Sequence, residues 1–269
     1  MTSPGDREQI DRNRLRVVDL EVPRGPELAE RLASVSEVIY LIFNEGYSAT
    51  AGEDLLRPAL CEDALRLGRI LAAFATEEAE VHGLVALMEI HASRAAARTL
   101  PSGEAVLLLD QDRARWDQSL IQRGFVALAR AEVLGGQPGP YVLQARITAC
   151  HARSPTAEST DWRQIADLYG ELAALLHSPV VELNRAVAVS MADGPAAGLA
   201  LIDALSAAPS LQNYHFLPSA RADLLKKLGR FPEARAEFER AVGLTRNARQ
   251  RERLLERAAA CADATVKKS

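Results

Sequence analysis

No stretch of this chain alternates apolar and polar residues over the roughly four to eight positions that a half-buried strand requires. β-Branched residues come in short clusters, such as Val35, Val38 and Ile39, and never in alternating runs. The remainder is rich in Ala, Leu, Glu and Arg, side chains that lose little rotamer freedom in a helix, or none in the case of Ala. These features predict an all-α fold, a helical bundle followed by an array of tetratricopeptide-like helix pairs.

Composition excludes several classes. With 48% hydrophobic and 25% charged residues, the 269-residue chain can bury a continuous core and does not read as a disordered tract. A formal net charge of −4 lacks the basic balance of a protein that grips a phosphate backbone, so direct DNA binding is not expected. The arginines between Arg246 and Arg257 have Glu252 and Glu256 among them and read as a solvated helix. Met1–Arg16 is polar and unlike a signal peptide, and no apolar run approaches the ~18–20 residues that span a bilayer. The expectation is a soluble, cytoplasmic protein without membrane contact. Cys61, Cys150 and Cys261 are far apart and show no CxxC or Cys/His ligand spacing, so neither a metal nor a cofactor is expected.

Glycine and proline punctuate the helices. A polar leader, 1–26, ends in Pro23, Gly25 and Pro26. Helices are predicted over Glu27–Asn44, closed by Gly46, then over Pro58–Ala75, Glu77–Ala97 and Ala114–Val133. The densest break, Gly135 to Pro140, predicts a boundary between an N-terminal helical subdomain (27–136) and a repeat-like one (137–262), followed by a disordered tail (263–269). Within Ser219–Leu244, the residues Ala222, Leu225, Gly229, Phe231, Ala234, Phe238 and Ala241 have the types and offsets of a tetratricopeptide repeat. Pro195, Ala197, Leu201 and Ala204 form a weaker copy, offset by slightly more than the ~34-residue repeat. A degenerate unit runs from Asp161 and Trp162 through Ala166, Gly170 and Ala173 to Pro179.

Four segments carry more polar and aromatic residues than packing needs. In the first, Tyr40, Asn44 and Tyr47 share one helix face, and Glu45 sits in the last turn, where the helix dipole disfavours a carboxylate without a partner. They read either as a tied-down helix end or as a pocket wall. In the second, Asp110, Asp112, Arg113, Trp116 and Asp117 fit an N-cap with i,i+4 pairs. Two close carboxylates also fit an acid/base pair or a cation site. The third opens at Gly139-Pro-Tyr141 and carries Gln144, Arg146 and His151. In the fourth, Asn184 and Arg185 interrupt an apolar helix, which implies a bond from Asn184 to a neighbouring element. His82 and His91 share one predicted helix but lack metal-pair spacing. No GxSxG, P-loop, GxGxxG, HExxH or kinase signature occurs.

Taken together, Tyr40–Tyr47, Asp110–Asp117, Gly139–His151, Ser178–Ala188 and the repeat at Arg221–Ala241 resemble the helical C-terminal extension of a group of extracytoplasmic-function RNA polymerase sigma factors (sigma-24-like). The resemblance spans about Pro26 to Leu255. It implies a regulatory or binding domain that controls transcription initiation through a protein partner, RNA polymerase or a sigma domain, or through a small-molecule ligand held in the helical groove. The two promoter-binding domains of that family would precede Pro26, where only Met1–Val22 stands, and this leaves a second reading open. In it, the chain is a stand-alone enzyme whose Tyr40, Asn44, Glu45, Tyr47, Asp110, Asp112, Arg113, Trp116 and His151 line a polar pocket, with Glu or Asp as general acid/base and Arg113 holding an anionic substrate group. That reading requires the carboxylates to converge.

Overall fold

The computed structural model describes residues 25–47, 56–100, 106–245 and 247–266. Among them the chain is all helical, with eleven α-helices, a few short 3-10 turns and no strand. The first five helices are α1 (Pro26–Tyr47), α2 (Pro58–Phe74), α3 (Ala79–Ala92), α4 (Gln118–Leu134) and α5 (Pro140–Arg153). Six more follow: α6 (Trp162–Leu176), α7 (Pro179–Ala192), α8 (Pro195–Leu205), α9 (Phe216–Lys227), α10 (Phe231–Leu244) and α11 (Ala248–Val266). None of them is long and apolar enough to cross a membrane.

The chain divides into two units, Met1–Glu37 and Val38–Ser269, with the division inside α1. In the first, the described residues form helix stabilised along its own surface by an Arg31–Glu27 pair at 2.9 Å and a Ser34 hydroxyl donating to the Glu30 carbonyl.

In the second unit α3 is the hub. Val81 and every residue from Gly83 to Ile90 are buried, so the helix is enclosed on all sides and has no polar stripe. It packs against α2, α4 and α5. Phe43 of α1, Ala64 of α2 and Leu84 and Met88 of α3 form one cluster. Ala86, Leu87 and Ile90 join Leu128 and Ala131 of α4 and Val142 and Ala145 of α5 in another. Each fully buried Leu or Phe contributes roughly 1.5–3 kcal/mol. The exception on α3 is Glu89, 1% exposed, whose carboxylate accepts from Arg69 of α2 at 2.7 Å and Arg123 of α4 at 3.3 Å. This buried charge is balanced by two half-exposed guanidinium groups.

From α6 onward, each helix packs on the next. The repeat residues Ala222, Leu225, Ala234, Phe238 and Ala241 are all fully buried in one core, joined by Leu254, Ala258 and Cys261 of α11. Gly229 turns the chain between α9 and α10 at φ +74°, a conformation costly for a residue with a Cβ. The weaker copy has a different inward face: on α8, Gly198, Leu199 and Ile202 are buried, whereas Ala204 is exposed.

The helices and their junctions differ from the sequence expectations at four places. Gly135 and Gly136 adopt positive φ and form a turn, yet residues on both sides of them share the α3 core. Glu80 of α3 accepts from the Tyr141 and Val142 amides at 2.8 and 3.1 Å, capping α5 across the break. The break at 136/137 is therefore a turn inside one unit. Gly46 does not close α1; it lies within the helix, where a Cβ would come 2.7 Å from the Cys61 amide nitrogen at the start of α2. α4 starts at Gln118 with Asp117 as its N-cap, after a 3-10 turn. At the C-terminus α11 continues to Val266, through part of the expected tail. The leader up to Arg24 and residues 267–269 lie outside the described residues.

Candidate functional site: a buried arginine among aromatic rings

The end of α1 presents Tyr40, Phe43 and Tyr47 at helical spacing toward α3 and α5. Tyr47 stacks on Phe43 at 5.5 Å and meets His91, near the end of α3, edge-on at 5.2 Å. Beyond α3 the chain turns through a 3-10 segment, and the Ser93 carbonyl accepts from the Asp117 amide at 2.9 Å, fixing this segment beside the start of α4. Arg94 and Arg98 project from this turn. Arg98 lies 3.7 Å over the Tyr47 ring and donates to the Tyr47 carbonyl at 2.6 Å. Arg94 stands 5.9 Å from the centroids of both Tyr47 and Trp116, and its guanidinium bonds His91 Nδ1. Arg113 lies 5.0 Å from the Trp116 ring and donates to the His151 and Ser154 carbonyls and the Thr160 hydroxyl. It thereby ties the turn before α4 to the end of α5. His151 completes the group, edge-on to Trp162 of α6 at 5.1 Å.

Positive charge predominates in the cluster, with the exposed Glu158 acting on Arg113. Arg94 is 7% exposed, and no ion pair to it exists among the described residues. Burial, then Arg94, Arg98 and His151, hold the His91 imidazole well below its usual range. Burial, then Arg94 and Arg113, lower His151 to about 4. Both rings are thereby biased toward the neutral form. Burial pushes the Tyr169 phenol of α6 to about 12. Among the described residues six buried side-chain polar atoms have no hydrogen-bond partner, and four of them belong to this cluster: Arg94 Nε, Trp116 Nε1, His151 Nδ1 and Trp162 Nε1. Such orphans are rare in folded proteins and each calls for an occupant or a function. A fixed cation, two unused indole donors and two neutral imidazoles suit binding of an anion. Among the described residues no group of three His, Cys, Asp or Glu has the arrangement of a metal site. No disulfide links the cysteines, and burial raises the Cys61 thiol to about 11.

Of the residues singled out from the sequence, Tyr47, Arg113, Trp116 and His151 come together around Arg94. Tyr40 stands at the edge, where its hydroxyl donates to Gln144 Oε1 at 3.3 Å, and its ring meets Tyr141 edge-on. Asn44 is exposed and bonds Tyr40. The carboxylates do not converge. Glu45 pairs with Arg57 at 3.0 Å, Asp112 accepts from the Ala114 amide as a local cap, and Asp110 is exposed on the preceding turn. Asn184 is exposed and not tied to a neighbouring helix, because α7 buries its other face through Leu183, Ala186 and Ser190. Arg185 pairs with Glu182 at 2.8 Å and lines an open groove of about 590 Å³ with Gly170, Pro179 and Leu205. That groove includes no residue of the Arg94 cluster.

Sequence reasoning missed His91, Arg94, Arg98, Trp162 and Tyr169 as site residues. The first three stand at i, i+3 and i+7, a spacing that puts them on one helix face. The nine-residue spacing of His82 and His91 excludes a metal pair and gives His91 no other signal. The positions of Trp162 and Tyr169 depend on how α6 returns to the cluster, which no local pattern encodes.

Residues 31–132 match a family of unknown function (DUF6596), which takes in Tyr47, Arg94 and Trp116 but not His151 or Trp162. An uncharacterized protein of Rhizobium meliloti (strain 1021) is 44% identical over 245 residues, covering 90% of this chain and 57% of its own length. The chain thus spans little more than half of that relative. No solved structure matches.

Proposed function

We propose that the chain is a regulatory binding domain of the sigma-factor type, which controls transcription initiation through a partner or ligand bound by its helices. The observation that carries this reading is the Arg94 cluster, where a buried arginine with no ion pair among the described residues stands beside buried donors without hydrogen-bond partners. Binding sites hold such groups ready, whereas a plain scaffold satisfies them internally. The helix-pair array from α6 to α11 supplies the extended surface on which a protein partner would lie. In this reading promoter contact is made by other domains, and this chain does not itself contact DNA.

The enzyme alternative has less support. A general acid/base built from Glu45, Asp110 and Asp112 would need them in one pocket, and Glu45 and Asp112 are engaged elsewhere. The test is capture by the tagged chain of purified RNA polymerase and of sigma promoter-binding domains supplied separately, with reporter transcription as the second readout. The reading predicts capture of at least one and altered transcription. Absence of both would overturn it.

A further inference from the structure

The Arg94 centre leaves four buried polar atoms without a partner among the described residues. Its four unpartnered atoms comprise one guanidinium Nε–H, two indole N–H groups and one ring nitrogen of a neutral histidine. Three are obligate donors, and the fourth is a donor in one tautomer. The carriers Arg94, Trp116 and His151 are each more than nine-tenths buried. A buried cation without a counterion is strongly disfavoured, and Arg94 has no ion pair among the described residues; burial first, and the Arg94 charge second, lower both histidines. An incoming anion would supply the missing charge and accept from the idle Arg94 donor.

We infer that the Arg94 centre is a receptor site for a small organic carboxylate held by Arg94 and the indole N–H of Trp116. This rests on reading the cluster as a binding centre. The charge arithmetic favours a monoanion over a phosphate dianion. Arg98 already donates to the Tyr47 carbonyl, and Arg113 already donates to the His151 and Ser154 carbonyls and to Thr160. Arg94 is the cation of the cluster with a buried idle donor. The flanking rings of Tyr47 and Trp116, each 5.9 Å from the guanidinium, give the ligand an apolar wall and exclude strongly hydrated ions.

The chain has two tryptophans, Trp116 and Trp162, and both carry idle N–H groups in this cluster. Intrinsic tryptophan emission therefore reports on this site alone. The experiment titrates the full chain at pH 7 with sodium acetate, at ionic strength held constant with sodium chloride, and in parallel with sodium phosphate. The inference predicts a saturable emission change and a rise in Tm with acetate, and neither with chloride. Arg94→Gln should lose the acetate response, while Trp162→Phe should keep it through Trp116. Acetate behaving like chloride would overturn the site, and phosphate saturating at lower concentration than acetate would overturn the carboxylate assignment. Because the wild-type titration stands by itself, a misfolded Arg94→Gln protein would not rescue a failed inference. Partner capture is scored separately: an acetate response without capture removes the sigma-type reading alone, and capture without a response removes this inference alone.

Discussion

His151 illustrates what burial beside two guanidinium groups does to an imidazole. Its pKa in the folded chain is about 4, against about 6.5 when unfolded. Between those values the unfolded chain takes up a proton that the folded one refuses, so stability is complete above about pH 6.5 and falls as pH drops toward 4. At pH 5 His151 alone should remove about 2 kcal/mol. Urea melts at pH 7 and pH 5 check this, and His151→Gln should reduce the dependence and leave the part due to the buried His91. Glu89 gives a second residue-scale prediction. Replacing both Arg69 and Arg123 by Met strands a carboxylate that is 1% exposed, and should destabilise by about 3–5 kcal/mol in chemical unfolding. Glu89→Gln should cost less, because both arginines are half exposed and can turn to water. The candidate site was half legible at this scale. Tyr47, Arg113, Trp116 and His151 stand out as aromatic or charged residues in local motifs, whereas Arg94 looks like any helical arginine until Tyr47 and Trp116 are seen on either side of it.

Element by element, helix type and order are written locally, but which helix returns to which core is not. The α9–α10 pair is legible because small residues, the Gly229 turn and Phe238 must occur at fixed offsets for two helices to close on each other. The Gly135–Pro140 break reads as a boundary because glycine and proline report a turn and say nothing about where the next helix packs. Glu80 decides that question by capping α5 from α3. Glu80→Ala should destabilise the fold by about 1 kcal/mol, the usual cost of a lost cap, measurable as a lower denaturation midpoint with an unchanged slope. At Gly198 an added Cβ would collide with Ser190 and with the Ala186 carbonyl of α7. Gly198→Val should therefore force α7 and α8 apart and lower Tm by more than Gly243→Val, where a Cβ meets nothing.

At the scale of the whole molecule, Val38–Ser269 packs as one unit, and the Ala86–Ala149 core draws on residues before and after the Gly136 turn. Expressed alone, a fragment of residues 137–269 should lack a cooperative melt, because Val142, Ala145 and Ala149 would lose their α3 and α4 neighbours. The central claim is that Arg94 is kept for an occupant rather than for the fold. A binding residue held without its ligand is a stability liability, whereas a structural arginine, satisfied by its neighbours, is missed when removed. The global unfolding of Arg94→Met against the wild type, in buffer free of carboxylates, separates the two. The account predicts a Tm equal to or above that of the wild type, together with loss of the acetate response; a loss of about 3 kcal/mol or more, the signature of a broken buried network, would contradict it.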